Sequence, residues 1–207
     1  GLAAADAVGA MSTPFDPRSP ADVLALVEAF PLAWVIAHEG DAPATPLPLL
    51  AECDAGGAIV SLFGHLARRN PLCAALQAAP RALLLFQGPQ AYVAPRLVSK
   101  PDWGPTWNYA VARFQVRIEF APEETDAALA RLAAHLEAGQ AEPWTTERMG
   151  ARYAQLREHI IAFRAHVEHA HATFKLGQDE TSQAFAEIVA GHRDPVLVDW
   201  MHRLSEG

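Results

Sequence analysis

Phe86-Gln87-Gly88-Pro89-Gln90-Ala91-Tyr92-Val93, followed further along by Pro105-Thr106-Trp107-Asn108-Tyr109, is the stretch on which the reading of this chain turns. It opens on the end of an apolar run, Ala82 to Phe86, of strand length and composition. Glycine and proline then interrupt the run. Pro89 to Pro105 is rich in proline and carries no apolar period, so an ordered loop is expected there, with Tyr92-Val93 as a short strand piece. Trp107 to Phe120 resumes as a strand, with Ala112, Phe114, Val116, Ile118 and Phe120 alternating with Val111, Arg113, Gln115 and Arg117.

Upstream, the texture is also β-like. LAWVIAH (32–38), ATPLPLL (44–50), AIVSLFGH (58–65) and ALLLFQG (82–88) are short strand candidates, and Asp54-Ala55-Gly56-Gly57 reads as a hairpin turn. A helix from about Pro71 to Ala79 interrupts them. Ser19-Pro20-Ala21-Asp22 opens an earlier helix with a capping-box-like pattern, and Pro31 ends it. Downstream, Asp126 to Ala138 is helical, with Leu129, Leu132 and Leu136 on one stripe and Gly139 as its stop. A short helix over 148–157 precedes a strand over 160–174. Asp179 is placed to cap one closing helix, and Asp194-Pro195 starts the other. About six strands edged by short helices fit an α+β chain built on a small closed or partly closed β-barrel. Residues 1–10 read as an extension, 11–178 as the barrel domain, and 179–207 as a helical segment packed on it.

Composition narrows the classes. The chain has 207 residues, 51% of them hydrophobic, enough for one domain with a substantial core. No apolar run reaches the roughly 20 residues that span a bilayer, and the start lacks the basic region of a secretory signal. Two cysteines without CxxC spacing favour a reducing, cytoplasmic setting over a disulfide framework. The formal net charge of −8 opposes nucleic-acid phosphates, and no basic helix-turn-helix pattern is present, so direct DNA binding is not expected.

Gly64-His65-Leu66-Ala67-Arg68-Arg69-Asn70-Pro71 adds a third segment to the two quoted first. In order and spacing the three resemble the PaiB family of FMN-binding negative transcriptional regulators, and weaker likeness runs from about Pro14 to Gln178. The resemblance implies an FMN-binding split barrel, a homodimer with flavin at the subunit interface, and a regulatory role. It also implies a phosphate clamp of His65, Arg68 and Asn70, to which Arg69 adds a charge the family usually lacks, with Lys100 and Thr106 nearby. The chemistry agrees, because a phosphate dianion needs guanidinium forks and backbone N–H groups, which a strand–helix corner supplies. A flavin ring needs a flat neighbour with polar edges, for which Gln87, Tyr92, Trp107 and Asn108 are suited. The chain departs from the family at Ala94-Pro95-Arg96-Leu97-Val98, where Ser-Pro-Ser-Trp-Tyr is usual after Tyr92-Val93. It departs again at Lys175-Leu176-Gly177-Gln178-Asp179, where Lys-Leu-Ser-Gln-Asn is usual. FMN is therefore expected to be held chiefly by its phosphate and more weakly than the family norm, down to a chain that has lost it.

Blander readings stand beside these. Asn70 before Pro71 is a good helix cap, and His65 fits a buried strand end. Trp107 and Asn108 fit a barrel strand. His169 and His171 share a strand face but lack a third ligand, so no metal is expected. No catalytic constellation is recognisable from spacing. Split barrels host oxidoreductases as well as regulators, which leaves a flavin-dependent oxidoreductase as the alternative.

Overall fold

A computed structural model of the chain describes residues 12–205; the expected extension over 1–10 lies outside the described residues. Helix α1 (Pro20–Ala29) leads into β1 (Leu32–Ala37), β2 (Ala44–Pro48), β3 (Leu50–Cys53) and β4 (Ile59–Ala67). Then follow α2 (Pro71–Ala78), β5 (Arg81–Val93), β6 (Thr106–Phe120), α3 (Thr125–Leu136), α4 (Arg152–Glu158), β7 (Ile160–Lys175), α5 (Ser182–Gly191) and α6 (Pro195–Ser205). Among the described residues the seven strands form one sheet in the order β2-β1-β5-β6-β7-β4-β3. No helix among them is long and apolar enough to cross a membrane.

Seven strands stand where about six were expected, with one expected run divided and one expected piece absorbed into its neighbour. The run ATPLPLL is two strands, because the buried Leu49 leaves the ladder and its N–H donates to Pro31 O at 2.9 Å. Tyr92-Val93 is no separate piece, because β5 runs straight through Pro89. Proline lacks the N–H a ladder needs. The β1–β5 register ends at Ala33↔Phe86, so no β1 partner is left wanting that donor.

The chain divides into two compact units. The larger comprises Arg18–Gly88 and Ala110–Ala172; the smaller takes Pro89–Tyr109, the residues from Thr173 onward and the described residues before Arg18. In the larger unit, Phe86 and Phe114 meet edge to face with centroids 5.7 Å apart. Two glycines of the quoted motifs are set by close packing. A Cβ on Gly64 would sit 2.5 Å from Leu49 Cδ2 and 3.2 Å from Pro48 O, and one on Gly88 would collide with Leu26. On the opposite face of β4, Phe63 packs against Ala128 of α3 and Ala162 of β7.

The guanidinium groups of Arg131 and Arg164 lie over the Phe63 ring, 4.7 and 4.5 Å from its centroid. Both bond Glu52, at 2.7 and 3.1 Å, and Arg164 also bonds Glu124. Burial opposes ionisation of Glu52, but hydrogen bonds from Ser61, Arg131 and Arg164 outweigh it and hold the carboxyl at about 2.

Two local expectations change, and one helix face packs in a way that its period left open. Ser19 makes no side-chain cap; Asp22 instead accepts from the Arg18 N–H at 3.0 Å and from its guanidinium. The leucine stripe of α3 is not core. Small Ala128 and Thr125 are the buried positions, while Leu136 is 56% exposed. In the smaller unit, Thr181 rather than Asp179 caps α5, accepting from Ala184 N at 3.2 Å. Asp194 caps α6 as expected, accepting from Val196 N and Leu197 N. That unit is held together by Phe174 stacked on Trp200 at 6.3 Å, with Leu176, Ile188 and Met201 buried.

Candidate functional site

The β4–α2 corner of the larger unit carries the expected phosphate residues. Pro71 starts α2, and Asn70 caps it: Oδ1 accepts from Leu72 N at 3.0 Å, and Nδ2 donates to Thr45 Oγ1 at 3.0 Å. The Cys73 N–H is also taken, by Asn70 O at 2.8 Å. These bonds use the first N–H groups of α2 inside the protein, so the corner offers an anion fewer backbone donors than its sequence promised. Arg68 and Arg69 are different. Both are exposed, and neither side chain forms an ion pair or hydrogen bond among the described residues. Burial pushes the Cys73 thiol up, with the Arg68 charge acting the other way.

His65 has a different setting from those arginines. Its ring stands on the wall of a cavity of about 270 Å³ lined mainly by apolar side chains of α3, α4 and the segment between them. Burial lowers its pKa, which disfavours the charged imidazole. Gln87 is exposed on β5.

In the smaller unit, Tyr92 and Trp107 form a tilted ring pair with centroids 6.0 Å apart, 48% and 51% exposed. Trp107 Nε1 donates to Gln90 Oε1 at 2.6 Å. Lys175 Nζ donates to Thr106 Oγ1 at 2.6 Å and to Trp107 O at 3.2 Å. The structure therefore joins Tyr92, Trp107 and Thr106 through two residues that were not picked out, Gln90 and Lys175. Both lay inside quoted motifs, but nothing in their spacing shows which side chains they reach. Lys100 is apart, exposed and paired with Asp102 at 3.4 Å. Asn108 is buried, and its Nδ2 faces Met201 Sδ at 3.7 Å.

Gly177 has φ of +92°, and a Cβ there would lie 3.2 Å from Met201 Cε and 3.3 Å from Phe185 Cδ2. The positive φ and these contacts favour glycine at that position. Gln178 is equally local, accepting from Leu176 N at 2.8 Å and donating to Phe174 O at 2.6 Å. On β7, His166 pairs with Glu119 at 2.7 Å, and His169 and His171 are exposed. No cluster of three or more metal-ligating side chains occurs among the described residues.

A family model described as "Putative FMN-binding domain" matches residues 11–169. Protease synthase and sporulation protein PAI 2 of Bacillus subtilis (strain 168) is 26% identical over 130 residues, which is 62% of this chain and 62% of that protein's length. Among solved structures, the flavocytochrome Anf3 of Azotobacter vinelandii is similar with a TM-score of 0.59 at 17% identity, covering 77% of this chain and 69% of that one. The FAD and heme binding protein of Mycobacterium smegmatis gives 0.56 at 17% identity, over 85% and 80%. Identity this low speaks to the fold alone. The fold is the α+β split barrel expected from the sequence.

Proposed function

The chain belongs to the FMN-binding domain family that this model describes, and from that premise we propose that it is a regulatory flavoprotein working as a homodimer. FMN is its cofactor. The observation that carries the reading is the ring pair Tyr92–Trp107, two large aromatics side by side and about half exposed. A soluble chain rarely leaves such a surface without a use, and a flat ring system with polar edges suits it. We assign Tyr92 and Trp107 to the isoalloxazine. Gln90 and Lys175 hold Trp107 in place through its indole N–H and its carbonyl.

The phosphate is assigned to Arg68 and Arg69, whose unengaged guanidinium groups match an anion with several acceptor oxygens. Asn70 is a positioning residue that builds the turn carrying them. Each assignment rests on its own unit.

The homodimer is supported by apolar side chains left outside the core on β1, Leu32 at 59% and Trp34 at 49% exposure. A regulator with a net charge of −8 is a poor direct DNA binder, so the regulatory role would run through flavin or a protein partner. The decisive experiment is purification from cells grown with riboflavin, followed by absorbance and sedimentation. A yellow dimer supports the reading; a colourless monomer that takes up no added FMN overturns it. Sustained NAD(P)H oxidation with added flavin would move the assignment to an oxidoreductase.

A further inference from the structure

We propose that the end of α5 is a back plate for the exposed ring pair: His192 and Glu187 are positioning residues that hold the chain between Tyr92 and Trp107, and so set how the two rings meet a flavin. That role rests on the assignment of Tyr92 and Trp107 to the isoalloxazine. The residues involved lie within the smaller unit.

Residues 94–105 join the two strands that carry the rings, and a connection of that length keeps no fixed course without ties. The ties come from α5 and its flanks. Ser99 bonds the Glu187 carboxylate twice, its N–H donating to Oε2 at 2.7 Å and its hydroxyl to Oε1 at 2.6 Å. Gln183 Nε2 donates to Ser99 Oγ at 3.1 Å and to Glu187 Oε1 at 3.0 Å. Trp103 Nε1 donates to Glu180 Oε2 at 2.9 Å. The turn Pro95–Leu97 lies so close to Gly191 that a Cβ there would be 2.9 Å from Leu97 Cδ2. Gln183, Glu187 and Gly191 are spaced four apart, which puts them on one face of the helix.

His192 acts at the ring pair itself. Its Nδ1 accepts from Asp194 N at 3.1 Å, so the neutral imidazole carries its proton on Nε2 and donates it to Tyr92 O at 3.3 Å. One side chain thus ties the backbone of Tyr92 to the start of α6, while Gln90 and Lys175 hold Trp107. A flat ligand gains most from two rings already held at their bound spacing, because ordering them at the moment of binding costs entropy.

The test compares full-chain variants in two readouts. In the flavin-free protein, near-ultraviolet circular dichroism reports the Tyr92–Trp107 pair, whose share is the signal lost in Trp107→Phe. His192→Ala and Glu187→Ala should each remove much of that share. His192→Gln, which keeps one donor and one acceptor, should restore it. Because His192→Ala also removes a bond to the start of α6, Glu187→Ala, which leaves that bond in place, repeats the test. With flavin added, each alanine variant should weaken FMN and riboflavin alike, by roughly fivefold to tenfold, as one lost hydrogen bond does. An intact ring signal in both alanine variants overturns the proposal, as does a loss that His192→Gln shares. A lost ring signal with both flavins bound as before would uphold the positioning and overturn the assignment of the pair to flavin. If the wild-type chain binds no flavin, that assignment falls and the dichroism still decides the positioning.

Discussion

Gly64 stands so close to Leu49 that a Cβ on it would lie 2.5 Å from Leu49 Cδ2, with Pro48 O at 3.2 Å. Leu49 is fully buried and the carbonyl is backbone, so neither neighbour yields easily. Gly64→Ala should destabilise the fold by about 1–3 kcal/mol, the usual cost of overpacking. Gly104→Ala, where nothing lies within 4 Å of the added carbon, should be close to neutral. Urea unfolding of the two variants decides it; equal midpoints would show that the β2–β3 corner gives way freely.

Asn70→Ala removes both the α2 cap and the bond to Thr45. A loss of about 1–2 kcal/mol in stability is expected, with FMN affinity changing less than in Arg68→Ala. A larger effect on FMN than on stability would make Asn70 a direct ligand after all.

Arg68→Ala should lower FMN affinity by roughly tenfold to a hundredfold, the range of a hydrogen bond to a charged group, while riboflavin affinity stays put. Both are read by quenching of flavin fluorescence. Equal losses for the two flavins would remove the phosphate from this corner. FMN is expected to bind more weakly than in family members that keep the Ser-Pro-Ser-Trp-Tyr loop, since each lost hydrogen bond costs about 1 kcal/mol.

The Glu52 carboxyl, held at about 2 against an ordinary 4.5, stabilises the folded state above pH 4.5. That contribution is lost as pH falls from 4.5 through 2, because the unfolded chain takes up its proton first. His65 acts in a higher window. Burial lowers its pKa below 6.5, so stability begins to fall as pH drops below 6.5 and the unfolded state protonates preferentially. Thermal melts from pH 8 to 3 should show two stages of loss. His65→Phe should abolish the upper one and Glu52→Gln reduce the lower; a profile unchanged by either substitution counts against these assignments.

Much of the fold was legible, because alternation over 111–120 and the caps at Asn70 and Asp194 are local signals. What escaped was decided by distant partners. Whether Pro89 breaks a strand depends on where the pairing with β1 stops, at Ala33↔Phe86. Whether ATPLPLL is one strand or two depends on Pro31 claiming the Leu49 N–H. The leucines of α3 keep a helical period, but period alone does not tell a core face from a cavity wall. In the candidate site, the aromatic pair and the two arginines were visible as residue types. Lys175 was not, since only the folded chain brings it to Thr106. Nor does spacing show burial, which encloses Asn108 and lowers the pKa of His65.

The assembly over Phe63 has a consequence for divergence. Arg131, Arg164, Glu52 and Glu124 balance two charges of each sign around one ring. Removing one member alone strands a half-buried partner, which costs more than losing the whole set. Substitutions here must therefore arrive together or be swiftly compensated. Across relatives, these positions will drift as a linked block, either a charged box closed over an aromatic ring or an apolar patch, with few lineages caught halfway.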